Sequence, residues 1–430
     1  MNLPPSPAAV FDWHAGWRYG LMGLPLAFVA LPLYVTLPNH YATAFGVPLA
    51  TLGAVLLAAR LLDALIDPLL GRWSDRLFAQ SLRAVLAWAA LACAVLGAGF
   101  ALLFFPPFHG PRALVLWATA CLVVTYAAYS ALSILHQSWG ARLGGDEVQR
   151  SRVVAWREGL GLLGVVLASI VPLALGLSAT AALFFVALGA GWAAWRVARK
   201  PPAGTTAASE AGFFAGQPAS VWLPFTRPAF RALLAVFVVN GIASAVPATL
   251  ILFFVQDRLQ APKGTEAVFL GSYFVCAALA LPLWLRAVPH LGLARTWLAG
   301  MLLSMVVFVF AAQLGANDTP GFVAVCVLSG IALGTDLALP GALLAGCIAA
   351  AGDRGRTEGA YFGWWNFATK LNLALAAGVA LPLLGLLGYT PGTRAPEALQ
   401  VLTIAYCLLP CVLKAAAAAL LYTLVIRKTP

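Results

Sequence analysis

Charge is what this chain has least of. Only 10% of its 430 residues are Asp, Glu, Lys or Arg, 62% are hydrophobic, and mean hydropathy is +0.90. A soluble protein cannot hide that much apolar surface, so the class is integral membrane protein. Histidine is sparse too: His14, His40, His109, His136 and His290 are scattered, with no metal-ligand spacing. Neither HExxH nor GxSxG occurs, which leaves a membrane-embedded lipid enzyme without its zinc or nucleophile–base constellation. The seven cysteines (Cys93, Cys121, Cys276, Cys326, Cys347, Cys407, Cys411) lie in apolar runs and form no CxxC. They read as small core residues, and no cofactor or bound metal is expected beyond a coupling cation. The start, "MNLPPSPAAVFDWHAGWR", has no charged segment leading into an apolar one, so no cleaved signal peptide is expected.

What the chain does have is apolar length. Runs broken by Gly, Pro or charge give twelve expected spans, near 17–37, 47–70, 82–105, 112–139, 153–175, 179–198, 229–256, 266–286, 294–315, 320–349, 360–388 and 398–426. Each holds roughly the 20 residues needed to cross a bilayer. The runs are continuously apolar, which rules out a barrel of alternating strands and leaves helices. A Pro-, Gly-, Ser- and Thr-rich stretch, 199–228, separates six spans from six; it reads as a flexible linker between an N-terminal half, 1–198, and a C-terminal half, 229–430. The net charge of +11 would fit nucleic acid, but basic residues of membrane proteins gather in cytoplasmic loops. Seventeen Lys and Arg fall in one set of loops and the C-terminal tail, against Arg112, Arg258, Lys263 and Arg394 in the other set. Both termini and the linker are therefore expected in the cytoplasm, with no nucleic acid as partner. The loops "GGDEVQRSRVVAW" and "AGDRGRTEGAYFGW" also match, pairing Asp146, Arg150 and Ser151 with Asp353, Arg356 and Thr357. Two repeating six-helix halves are a transporter architecture with its site near mid-membrane.

The second span, "RLLDALIDPLLGRWSDR" (60–76), concentrates charge inside grease. At about 100° per residue from Arg60, Asp63 falls near −60°, Asp67 near −20°, Gly71 near +20° and Ser74 near −40°. All share one narrow face. An ionised group at mid-bilayer costs on the order of 2.5–3.5 kcal/mol on insertion scales, so such groups face a cavity or a partner. An i,i+3 ion pair of Arg60 with Asp63 would explain one aspartate and leave the other. Pro68 frees the carbonyl of Ala64, an extra oxygen beside the two carboxylates. Hard cations take oxygen ligands, and paired carboxylates can share a proton. The pair is thus expected to bind H⁺ or Na⁺.

The pattern R-x-x-D-A-x-x-D-P-x-x-G-x-x-S-D resembles the second helix of the glycoside–pentoside–hexuronide (melibiose permease-like) cation symporters of the major facilitator superfamily. The resemblance implies an all-helical membrane fold with two pseudo-symmetric six-helix halves. It implies that Asp63 and Asp67 bind the coupling cation. Sodium-using members carry Asn before the second aspartate where this chain has Ile66, which favours H⁺. Thr125 and Ser130 are both in range for the family's fourth-helix hydroxyl. "GRWSDR" resembles the superfamily loop G-x-x-x-D-R, with Gly71 for close helix approach and Asp75 and Arg76 as a charge relay at a cytoplasmic gate. Arg157 resembles the family's fifth-helix arginine, joining the substrate and cation sites. Lys370, with Asn366 one turn before it, resembles an eleventh-helix lysine reaching toward the cation. Asp336 is the expected partner of Lys370, because lone buried charges tend to pair across helices, while Lys414 is expected to snorkel. Tyr126 and Trp364, among the aromatics Tyr129, Trp139 and Trp365, are candidates for stacking on substrate, and His136 for core packing. Sugar-transporting members use acidic residues on helices 1 and 4; here "GLMGLPLAFVALPLYV" and "LVVTYAAYSALSIL" have none. The expectation is a cation-coupled secondary transporter of a small organic or lipid-like solute, acting as a monomer in the inner membrane among its lipids. A lysolipid carrier or a transport-inactive sensor of the same fold are the alternatives.

Overall fold

The computed structural model describes residues 11–108, 110–202, 220–262 and 264–428. His109, Lys263 and most of the linker, 203–219, lie outside the described residues. All regular structure described is helical. We number the helices α1 Trp13–Phe45, α2 Leu49–Gln80, α3 Leu82–Phe104, α4 Pro111–Leu143, α7 Pro228–Arg258, α10 Thr319–Ala350, α11 Glu358–Leu386 and α12 Pro396–Lys428. The remaining four come from two long stretches. Glu147–Arg196 runs 50 residues, about 75 Å at 1.5 Å each and too long for one crossing. It breaks at Gly176, where φ 79° and ψ 177° are a conformation open to glycine and strained for other residues; α5 is 147–175 and α6 is 177–196. Glu266–Ala311 breaks in the same way at Gly292 (φ 77°, ψ 166°), giving α8 at 266–291 and α9 at 293–311.

Among the described residues, nine helical stretches, including those two, are long and apolar enough to cross a membrane. α2 falls outside the nine because it carries Arg60, Asp63, Asp67, Arg72, Asp75 and Arg76. Local signals set the helix starts. Asp12, Ser81 and Asp146 accept from the backbone N–H three residues on (2.8, 3.0 and 2.8 Å), which satisfies amides that lack an intrahelical partner. Proline opens α4, α7 and α12, where its missing N–H is harmless.

The chain divides into two units. The first, Met1–Thr226 with Ala345–Phe367, has an aromatic core in which Phe184 meets Phe28 and Phe100 at 5.8 and 4.7 Å. The second, Arg227–Leu344 with Ala368–Pro430, packs Phe254 on Tyr406 at 4.2 Å. Leu173, Leu386 and Val306 stand 90%, 85% and 69% exposed, the outward apolar surface that lipid covers in a membrane protein. Linker residues 220–226, the end of α10 and the first turns of α11 belong to the first unit. The bonds described next are the physical reason.

Candidate functional site

In the first unit the polar stripe of α2 is buried. Asp67 has no exposed surface and Asp63 is 4% exposed. Ser130 of α4 donates to Asp63 Oδ1 at 2.7 Å, whereas Thr125 packs on α3, where a Cβ on Gly99 would lie 2.1 Å from its hydroxyl. Ser130 is thus the α4 hydroxyl that reaches the aspartates. Arg60 lies over the ring of Tyr34, 3.5 Å from the centroid, a cation–π contact. Tyr126, buried on α4, has its ring 6.1 Å from that of Tyr34, so it sits with Arg60 at the top of the stripe. α2 runs through Pro68 without ending. Gly363 of α11 covers this point: a Cβ there would lie 2.6 Å from the Asp67 carbonyl and 2.9 Å from the Pro68 Cα.

One helical turn further, at Gly71, a Cβ would lie 2.1 Å from the carbonyl of Gly359, and the reverse contact is equally short. Only paired glycines let two backbones approach so closely. The approach brings Asp75 to the start of α11, where it accepts from the amides of Gly359 (2.7 Å) and Ala360 (2.8 Å). Asp75 therefore acts as a cap donated by another helix, placed where unsatisfied N–H groups and the positive end of the dipole meet. Arg142, at the end of α4, bridges Asp75 (3.2 Å) and Glu358 (2.8 Å), and donates to the Gly355 carbonyl at 2.8 Å. Its guanidinium also lies 4.1 Å from the Phe78 centroid. Asp75 sits beyond the apolar segment of α2; burial raises its carboxyl to about 7, against the lowering pull of Arg142 and the two amides. Arg76 is exposed. The expected Asp75–Arg76 relay is thereby corrected: adjacent residues point to different sides of a helix, and Arg142 is the arginine on the Asp75 side.

Arg157 and Glu158 pair with each other within α5, with Tyr19 alongside Arg157. His136 packs in the core, stacked on Tyr19 at 4.3 Å and edge-on to Trp195 at 4.9 Å. Trp139 is fully buried and donates to the Arg199 carbonyl at 3.0 Å. Trp364 meets the end of the linker. Its indole donates to the Val221 carbonyl at 2.8 Å and packs on Trp222 and Phe225, because the end of the linker returns along the start of α11. Asn366 is half-buried in the same unit.

In the second unit Asp336 of α10 does have a lysine partner, but it is Lys414 of α12. Lys414 Nζ donates to Asp336 Oδ2 at 2.8 Å and to Asn240 Oδ1 at 2.9 Å. Asp336 Oδ1 accepts from Asn240 Nδ2 at 3.0 Å and from Trp297 Nε1 at 2.7 Å. Lys414, expected to snorkel, is 5% exposed; it stands eighteen residues into α12, too far from either end to reach an interface. Lys370 lies half-buried on α11. The sequence signal for the true pair was the polarity of Asn240 and Lys414 within otherwise apolar runs, which single-helix patterns could not join. Among the described residues no group of three or more His, Cys, Asp or Glu could hold a metal ion.

Among the described residues, apolar helices with buried charge lodged at mid-helix are the build of a multi-pass membrane protein. Residues 18–428 match the family described as MFS/sugar transport protein, and the chain belongs to that family, one of transporters and not enzymes. It is 24% identical over 148 residues to the putative glycoside/cation symporter YagG of Escherichia coli; the match spans 34% of this chain and 32% of that relative. Its fold is that of a bacterial homologue of the iron transporter ferroportin in the outward-facing state (17% identity, TM-score 0.67, 94% of this chain and 99% of that one). The fucose:proton symporter FucP of Escherichia coli is similar in the same sense (14% identity, TM-score 0.62, 94% and 97%). The name of the glycoside/cation symporter relative agrees with the resemblance of α2 to the glycoside–pentoside–hexuronide symporters.

Proposed function

We propose that the protein is a cation-coupled secondary transporter of a small organic solute, working by alternating access, with Asp63 and Asp67 as the coupling site. The observation that carries the reading is the burial of two carboxylates one turn apart on α2, while the one basic group on that stripe lies over Tyr34. Two buried carboxylates one turn apart offer oxygen ligands to a monovalent cation, or can share a proton. Ile66 between the aspartates favours H⁺ over Na⁺. Arg157, Lys370 and Asn366 stand on the helices that would link the cation to the solute, with Tyr126 above Arg60. Gly71, Asp75 and Arg142 form the cytoplasmic gate; both termini are cytoplasmic, and the protein acts as a monomer in the inner membrane. The name of the relative supports a glycoside-like solute, whereas the lack of acids on α1 and in the apolar part of α4 favours a less hydroxylated or lipid-like one.

The test is uptake by proteoliposomes under an imposed proton or sodium gradient, with a panel of glycosides, free sugars and lysolipids. Accumulation driven by one gradient and abolished by Asp67→Asn supports the reading. Accumulation unchanged in that variant overturns the cation site.

A further inference from the structure

The Asp336–Lys414 cluster is not used by the coupling site just described, and its geometry is asymmetric in a telling way. Oδ1 of Asp336 is held by an indole N–H and an amide N–H. Both groups can only donate, so Oδ1 must remain an acceptor whatever the charge of the carboxyl. Oδ2 is different. Its neighbours are the Lys414 ammonium at 2.8 Å and the Ser244 hydroxyl at 3.5 Å, and a hydroxyl can turn from donor to acceptor. Asn240 clamps both ions, giving Nδ2 to the carboxylate and Oδ1 to the ammonium. That bond fixes the orientation of its amide and leaves Lys414 an acceptor when Asp336 is neutral. Exposure is also one-sided: 15% of the Asp336 side chain is exposed against 7% of Lys414, so the carboxylate is the more open member of the pair.

We propose that this cluster is a second proton-exchange site, in the C-terminal half, with Oδ2 of Asp336 as the atom that takes the proton. A proton from water adds to a lone pair of Oδ2, and the bond from Lys414 breaks. The new O–H donates to Ser244, and the ammonium keeps its protons and its bond to Asn240. The site passes from neutral to +1, and loss of one proton from Oδ2 restores the pair. The other groups facing it are Tyr273 of α8, within electrostatic reach of Asp336, and Cys411, within reach of Lys414 on its own helix. Neither supplies a second positive charge that would bar the proton. The proposal rests on membership of the transporter family and is independent of Asp63 and Asp67.

The test is infrared difference spectroscopy of the full-length protein in lipid nanodiscs, between alkaline and acid pH, in H2O and D2O. An Asp63→Asn/Asp67→Asn background removes the two buried aspartates of the α2 stripe. Acidification should produce a deuterium-sensitive protonated-carboxyl band that is lost on adding Asp336→Asn. In Ser244→Ala, which keeps both ions, the same band should persist at higher frequency because the O–H has lost its acceptor. A spectrum that Asp336→Asn leaves unchanged would show that the carboxylate stays ionised and would overturn the proposal. Should Asp336→Asn not fold, a Ser244→Ala band identical to that of the background would overturn the assignment to Oδ2.

Discussion

The two halves handle buried charge in opposite ways. On α2 of the first unit, Asp63 and Asp67 are two carboxylates buried one turn apart, and Arg60 lies against a tyrosine ring. In the second unit Asp336 and Lys414 cancel, and an amide, an indole and a hydroxyl complete the shell. Two carboxylates close together in a low-dielectric setting favour taking up a cation or sharing a proton. A cancelled pair needs nothing to arrive and changes only when a proton shifts the balance. The difference is what separates the proposed cation site from the proposed proton-exchange site.

The sharpest way to break the comparison is at the paired carboxylates of α2. Asp67→Asn removes one negative charge, and solute-coupled cation flux in proteoliposomes should fall to background. Loss of flux with an unchanged melting temperature would place the defect in coupling and not in folding. The balanced site should behave in reverse, as a matter of stability first. Lys414→Ala strands a buried carboxylate and should lower the stability of the purified protein by about 3–5 kcal/mol. Lys414→Ala with Asp336→Ala should recover much of that loss in a thermal melt; a double variant no better than the single would mean the pair does not act as a pair.

Smaller effects belong to the gate. Gly359→Ala puts a Cβ 2.1 Å from the carbonyl of Gly71, and overpacking of this kind costs about 1–3 kcal/mol. Spin labels on α2 and α11 should report a wider separation in that variant. The weakest effect is a pH dependence. Asp75 is raised to about 7 where it is buried, while in water an aspartate has a pKa of about 3.9. The contact therefore holds more protons than the opened state between those values. Its stability is full below about pH 4, falls as pH rises toward about 7 and levels off above. The same labels should show the separation growing over that window, and Asp75→Asn should flatten the response.

Particular residues show how far the chain could be read one helix at a time. The stripe on α2 was legible because a helix repeats every 3.6 residues, so four polar side chains at the right spacing must share a face. The linker was legible by composition, and Gly71 by its place in a motif. The contact of Trp364 with the linker was not legible because Val221, which accepts from its indole, is 143 residues away. Lys414 was misread because snorkelling is the rule for a lone lysine near a helix end. Three other helices overturn it here by offering Asp336, Asn240 and Trp297 at one depth. Arg142 went unnoticed because nothing in its own loop marks it as a partner of Asp75, 67 residues before it.

By itself, then, the sequence determined the membrane class, the helical periodicity, the family and the stripe that carries Asp63 and Asp67. Each of these depends on composition or on spacing along one chain segment. Only the tertiary structure decided which buried charges meet: Asp75 with Arg142 and the start of α11, Asp336 with Lys414, and Trp364 with the linker. Pairing between helices depends on depth and rotation about each axis. Those are set by packing against neighbours, and no single helix contains that information.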